Sequence, residues 1–428
     1  MVRIQPFKAI FYNTSKAGAI ENLIAPPYDV LDSTKANKLA QKSPFNVIHI
    51  TFSLSADSNF YSSAKEKFFQ WLKEGVLKKT SEEGIYFYEV NFEYILGGRK
   101  RKVARRGFFA SLGLSNYSKG EVLPHERTLS EPKKDRLALL RSVRANLSPI
   151  FCLYSDPSLE IINALAEAEK KEPIFEFCDD EGFEHKFFSI YDQNLLQKIS
   201  DYFAQKRVYI ADGHHRYETA LEYWRELLAK GDKWAKQAGW IMSYFTPIEE
   251  AGLVIFPYHR LLRNLSSVQL DGLVERVSEY FYTHLIFDHL DKETIWEVMR
   301  KIEELNDREM IMIDNERRVW LISLKENYQQ EFFNFLDVEI LEELVLTRIL
   351  MISREEILGE KVVSYETSEE RIAEKIFSQE YQLAFLLKPI SAQKVIERAE
   401  QAKAMPEKST YFYPKLPSGL VFRLILDE

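Results

Sequence analysis

Residues 210–224 read IADGHHRYETALEYW, and five consecutive positions within them are rich in chemistry: Asp212, Gly213, His214, His215 and Arg216. Three readings suit such a run. Histidines beside a carboxylate can hold zinc, but that site needs further ligands at suitable spacing, and His125 and His259 are the reserves. A polar, capped turn is the structural alternative. The third reading is an anion cradle, because of where the run lies. Before it comes an apolar strand candidate, Val208–Ala211; after it, Tyr217, Ala220, Leu221, Trp224, Leu227 and Leu228 recur at helical spacing, with Gly231 as a stop. A helix N-terminus offers free backbone N–H groups and the positive end of the dipole. Gly213 admits a ligand close to the backbone, and Arg216 and the two imidazoles donate to phosphate oxygens. Asp212 would repel a bare phosphate, yet it suits one that arrives with Mg²⁺, an ion held by one or two carboxylates and phosphate oxygens together.

Two further clusters qualify. In LPHERT, residues 123–128, Glu126 is a candidate general base for a hydroxyl, with His125, Arg127 and Thr128 as substrate or phosphate contacts. The alternative there is a surface pair between Glu126 and Arg127. In PEKSTYFYPK, Lys408, Ser409 and Thr410 form a polar loop that can reach a shared cleft, although the glycines of a phosphate-binding loop are missing. Tyr28 and Asp29 of APPYDVLD have the same standing.

The elements that must position these residues follow from hydrophobic period and punctuation. NVIHITFS (46–53) reads as a strand and residues 61–77 as an amphipathic helix. IYFYEVNFEY (85–94) reads as a strand, Gly97-Gly98 as a hairpin turn, and the following basic strand carries RKRKVARR (99–106). That basic run suggests either nucleic acid or a solvated hairpin tip, and the net charge of −8 favours the tip. Ser130 is placed to cap a helix containing Pro132 in its first turn. SPIFCLY (148–154) reads as a buried strand, residues 157–205 as helix, polar hairpin at 179–182 and helix, and 240–246 and 252–257 as strands. Residues 266–325 alternate helix and strand; 336–404 read as mostly helical around a strand in YQLAFLLKPI, and a last strand closes the chain.

A chain of 428 residues exceeds what one core serves, so several domains are expected: 1–115 with the hairpin, 116–265 holding the nucleotide site with an insertion at about 157–205, and 266–428. Acidic balance argues against nucleic acid or an anionic membrane as partner, and no apolar run has transmembrane length. Cys152 and Cys178 make neither a disulfide framework nor a thiolate metal site, and the start MVRIQPFKAIFYN lacks the apolar core of a signal peptide, so a cytoplasmic protein is expected.

The order His125-Glu126, a helix from about Pro132, Pro149-Ile150, then Asp212–Arg216 resembles the ParB/sulfiredoxin-like superfamily, most closely its free-serine kinase branch. This likeness covers residues 120–230. Over its full length the chain is similar to a large prokaryotic family marked by APPYDVL, HERT…DRL, SPIF, DGHHRYETAL and MPEKSTYFYPK. The resemblance implies an α/β (α+β) fold with a ParB-like core and large N- and C-terminal elaborations. It implies Glu126 as catalytic base, Asp212 as Mg²⁺ ligand or helper of the base, and Gly213, His214, His215 and Arg216 as the phosphate cradle. The implied reaction is phosphoryl transfer from ATP or ADP to a small-molecule hydroxyl, free L-serine first. A nucleotide-gated regulatory protein or a nucleotide phosphohydrolase are the alternatives.

Overall fold

The computed structural model describes residues 1–54, 59–128 and 130–426, with the backbone alone at 130 and 169. Among these residues the largest sheet has nine strands. It runs Val122–Leu123, Val208–Asp212, Ile150–Tyr154, Trp240–Pro247, Arg99–Gly113, Ile85–Leu96, Glu184–Ile190 and Phe175–Cys178, with Ile4–Gln5 added beside Arg99–Gly113. The sheet is mixed: Ile150–Tyr154 lies parallel to Trp240–Pro247 and antiparallel to Val208–Asp212. Its strands Ile150–Tyr154 and Trp240–Pro247 are buried over nearly their whole length, as expected of strands covered on both faces. A second sheet, of six strands, is built from residues 259–386. The protein is therefore an α+β structure.

Strands from 1–115 and from 116–265 alternate within one sheet, because the aromatic hairpin buries Tyr86, Phe87, Tyr88, Phe108 and Phe109 inside it. The C-terminus also returns to the start: Tyr411–Tyr413 pairs with Val254–Phe256, and Phe422–Leu424 pairs with Ala9–Tyr12 and Ala145–Asn146.

Two local expectations are corrected. Residues 48–51 form a helical turn, not a strand, because the side-chain Oδ1 of Asn46 accepts the Ile48 N–H while its Nδ2 donates to the Asn22 and Ile24 carbonyls. The mostly helical reading of 336–404 missed the strand Val363–Glu366. The Ser130 cap concerns a side chain outside the described residues, although the helix does run Ser130–Val143.

The basic hairpin is solvated at its tip, where Arg99, Lys100 and Lys102 are exposed, but not along the rest of the run. Gly97 and Gly98 sit in the left-handed turn expected of them and donate their N–H groups to the Glu369 carboxylate. Arg101 pairs with Glu303, Arg106 with Glu250, and Arg105 is fully buried, donating to the carbonyls of Tyr413 and Pro414.

Candidate functional site

The strand Val208–Asp212 is buried from Val208 to Ala211 and ends at Asp212, where Gly213 turns the chain directly into the helix His214–Ala229. Gly213 adopts φ +93°, a conformation other residues resist, and a Cβ there would come within 3.1 Å of the Arg216 guanidinium. As N-cap it brings no side chain to satisfy the first turn, so the helix end is open to an anion.

Asp212 is the hub of this end. One carboxylate oxygen accepts from Arg216 at 2.5 Å, and the other is paired with Lys415, 203 residues away in sequence. Arg216 also donates to the Pro149 carbonyl. Burial alone would raise the Asp212 pKa, but Lys415 and then Arg216 more than reverse it, so the carboxyl is held well below its usual range. Lys415 is 10% exposed, and its charge, opposed by burial, is secured chiefly by Asp212.

Glu126 comes to the same place on a loop that docks on the C-terminal segment: the Met405 N–H donates to the His125 carbonyl, and Glu126 and Met405 bridge in parallel. Burial pushes the Glu126 carboxyl up to about 7, with Lys415 opposing and Asp212 reinforcing the shift. A quarter of its side chain remains accessible, which limits the shift while the cleft stays open to water. His214 lies beneath it. The His125 backbone N–H points at His214 Nε2 (3.4 Å), which leaves the proton on Nδ1, 3.9 Å from Glu126 Oε2. Burial holds His214 well below its ordinary pKa, and it is neutral. Its side chain therefore faces Glu126, and its contribution to an anion is the backbone N–H.

Glu126, Arg127, Asp212, Gly213, His214, His215, Arg216, Tyr28, Asp29, Lys408 and Thr410 all line one cleft of about 440 Å³. Three of the expected residues are turned elsewhere. His125 is 1% exposed; its Nδ1 donates to the Ile210 carbonyl, and its Nε2 accepts from Thr410 at 3.2 Å. Ser409 donates to the Pro406 carbonyl, and Thr128 to Glu218. What sequence reading missed is the far wall, Tyr258, Glu360, Tyr365 and above all Lys415. Lys415 was within sight, since it ends the same PEKSTYFYPK stretch that carries Lys408.

The lining holds five carboxylates (Asp29, Glu126, Asp212, Glu360, Glu407) and four cationic side chains (Arg127, Arg216, Lys408, Lys415). That balance does not neutralise a polyphosphate, so a divalent ion accompanying the ligand fits. Asp212 fits that ion poorly, because each of its oxygens already has a cation. Asp29 has no ion pair or hydrogen bond among the described residues and acts electrostatically on both Lys415 and His215. No group of three or more His, Cys, Asp or Glu among the described residues is arranged to hold a metal, which leaves no protein-only zinc site. His259 is buried, its Nδ1 accepting the Leu387 N–H. No described helix is long and apolar enough to cross a membrane.

A family model described as "Protein of unknown function (DUF1015)" matches residues 4–339. No curated protein matches the sequence. Solved structures with partial likeness include a free serine kinase in complex with AMP, at 13% identity over 68% of this chain and 83% of that one, TM-score 0.33. A conserved hypothetical protein from Pyrococcus furiosus has 13% identity over 71% and 92%, TM-score 0.33. SbnI from Staphylococcus aureus, truncated at its C-terminus, has 10% identity over 72% and 87%, TM-score 0.33. Likeness at this level leaves the activity to be read from the chain's own geometry.

Proposed function

This chain belongs to the DUF1015 family, and from the chemistry of its cleft we propose that it is a nucleotide-dependent small-molecule kinase. One observation carries the reading. A carboxyl raised to about 7, Glu126, shares a cleft with an uncapped helix N-terminus flanked by two fixed cations, Arg216 and Lys415.

Phosphoryl transfer asks mainly for positioning and neutralisation of charge. The terminal phosphate lies at the N–H groups of the His214 turn, with Lys415 and Arg216 beside it and Asp212 holding both cations in place. Glu126, ionised, takes the proton from the acceptor hydroxyl as that oxygen forms its bond to phosphorus. The bond to the nucleotide's bridging oxygen breaks, and the negative charge on the departing ADP or AMP is met by the same cations. Neutral His214, its Nδ1 3.9 Å from Glu126 Oε2, lies beside the carboxylate without a hydrogen bond to it. A Mg²⁺ ion entering with ATP or ADP would supply further neutralisation, with Asp29 as its open protein carboxylate.

The acceptor implied by the motif order is free L-serine, giving O-phosphoserine. Arg127, Lys408, Glu360 and Glu407 line the cleft without ion-pair partners among the described residues, charges of both signs that suit a zwitterionic amino acid. Incubation of the full chain with Mg²⁺ and ATP or ADP, with and without L-serine, and ³¹P NMR of the products tests this. Serine-dependent phosphoserine supports it. Phosphate released at equal rate without serine would identify a hydrolase, and absence of nucleotide binding would overturn both.

A further inference from the structure

Tyr258 stands on the far wall of the cleft, between the strands Val254–Phe256 and His259–Leu262. Its ring is held by three neighbours. Tyr411 and Tyr365 meet it edge to face, with centroids 5.6 and 6.3 Å away, and the Lys408 ammonium lies 5.5 Å from its centroid. Its backbone carbonyl accepts from Arg260, a buried guanidinium that is itself fixed by Glu342 and by the Tyr365 ring. The freedom that a side chain gives up on engaging a ligand is therefore already lost on folding.

The hydroxyl is the one part of this residue left uncommitted: it makes no hydrogen bond among the described residues. The charges around it show what it overlooks. Lys415, Tyr411, Glu126 and Asp29 all act on it, and it acts in turn on Lys415. These groups come from the returning C-terminus, the loop before the helix Ser130–Val143 and the first elements of the chain, and all but Tyr411 line the same cleft. A hydroxyl close to all of them faces the space between the candidate base and the cation beside the helix end. Burial raises its pKa far above the ordinary tyrosine value, with Lys415 opposing, so it stays protonated and serves as a donor, not as a second base.

We propose that the Tyr258 hydroxyl donates a hydrogen bond to a non-bridging oxygen of the phosphoryl group in transfer, which makes it a further catalytic residue. The inference rests on the kinase reading of the cleft. Arg216 and Lys415 are both tied to Asp212, whereas the Tyr258 donor is free to meet an oxygen that moves as phosphorus passes from nucleotide to acceptor. A fixed donor placed at the midpoint of that passage acts on the transfer step more than on binding.

Tyr258→Phe keeps the ring and removes only the oxygen. In steady-state turnover of the full chain with L-serine and MgATP or MgADP, it is expected to lower kcat about 10²-fold. The KM for serine, the nucleotide affinity by calorimetric titration and the melting temperature should stay at their wild-type values. A raised KM for serine with kcat intact would make Tyr258 an acceptor-binding group and overturn the proposal. So would turnover at the wild-type rate, which leaves the ring as a wall of the cleft, or a fall in kcat matched by a fall in melting temperature, which assigns the effect to packing. Wild-type protein that forms no phosphoserine would overturn the kinase reading itself, and the role of Tyr258 with it.

Discussion

Glu126 and the Asp212–Lys415 pair make opposite demands on proton and charge. Glu126 would titrate near 4.5 in the unfolded chain and near 7 in the fold, so folding takes up a proton between these values. Its contribution to stability is complete below about pH 4.5 and is lost as pH rises through 7. Glu126→Gln, neutral throughout, should therefore match wild type below pH 4.5 and melt higher than wild type above pH 7, read from thermal unfolding across that range. Activity runs the other way, rising with pH through about 7 as the base ionises. Asp212 and Lys415 are both nearly buried; removing the Asp212 charge strands Lys415, whereas removing Lys415 leaves Asp212 paired with Arg216. Asp212→Asn should lower unfolding free energy by about 3–5 kcal/mol, Lys415→Met by less, and the two combined by much less than the sum of the two single changes. Urea denaturation of the two single variants and the double variant measures the coupling. Asp212–Arg216 and Glu126 were legible in the sequence because their types and their strand-to-helix setting are local. Lys415 stands in the PEKSTYFYPK stretch, but its pairing with Asp212 was not legible, since only the returning C-terminus brings the two together.

Periodicity revealed most elements and mistook those that side chains decide. The aromatic hairpin, the helix after Glu126 and the strand and helix around Gly213 follow from apolar spacing and glycine. The turn at 48–51 does not, because it depends on the amide of Asn46, and β-branched residues there pointed to a strand. The hairpin's basic run is solvated at its tip as expected, but composition cannot say that Arg105, further along it, is buried. Its guanidinium, stacked on Phe151 and Tyr244, ties down the carbonyls of Tyr413 and Pro414 immediately before Lys415. Arg105 is in this account a positioning residue for Lys415. Arg105→Met should speed amide hydrogen exchange at residues 411–416 and weaken nucleotide binding, while the exchange of the Ile85–Leu96 strand stays slow. Exchange that rose equally in both segments would mean a general loss of stability instead.

Across the whole molecule the cleft is a meeting of distant segments. Tyr28 and Asp29 come from the first elements, Glu126 from the loop beside the sheet, Asp212–Arg216 from its edge, and Lys408, Thr410 and Lys415 from the returning C-terminus. Independent domains cut at 115 and 265 would divide both the nine-stranded sheet and this site. On the proposed kinase reading all of them serve one transfer between nucleotide and acceptor, with Glu126 acting on the hydroxyl that takes the phosphate. The most direct measurement is the turnover of Glu126→Gln in the presence of L-serine and MgATP or MgADP, together with its nucleotide affinity. Phosphoserine formation is expected to slow about 10²–10⁴-fold with nucleotide affinity unchanged. Turnover at the wild-type rate, or a variant that no longer binds nucleotide, would contradict it.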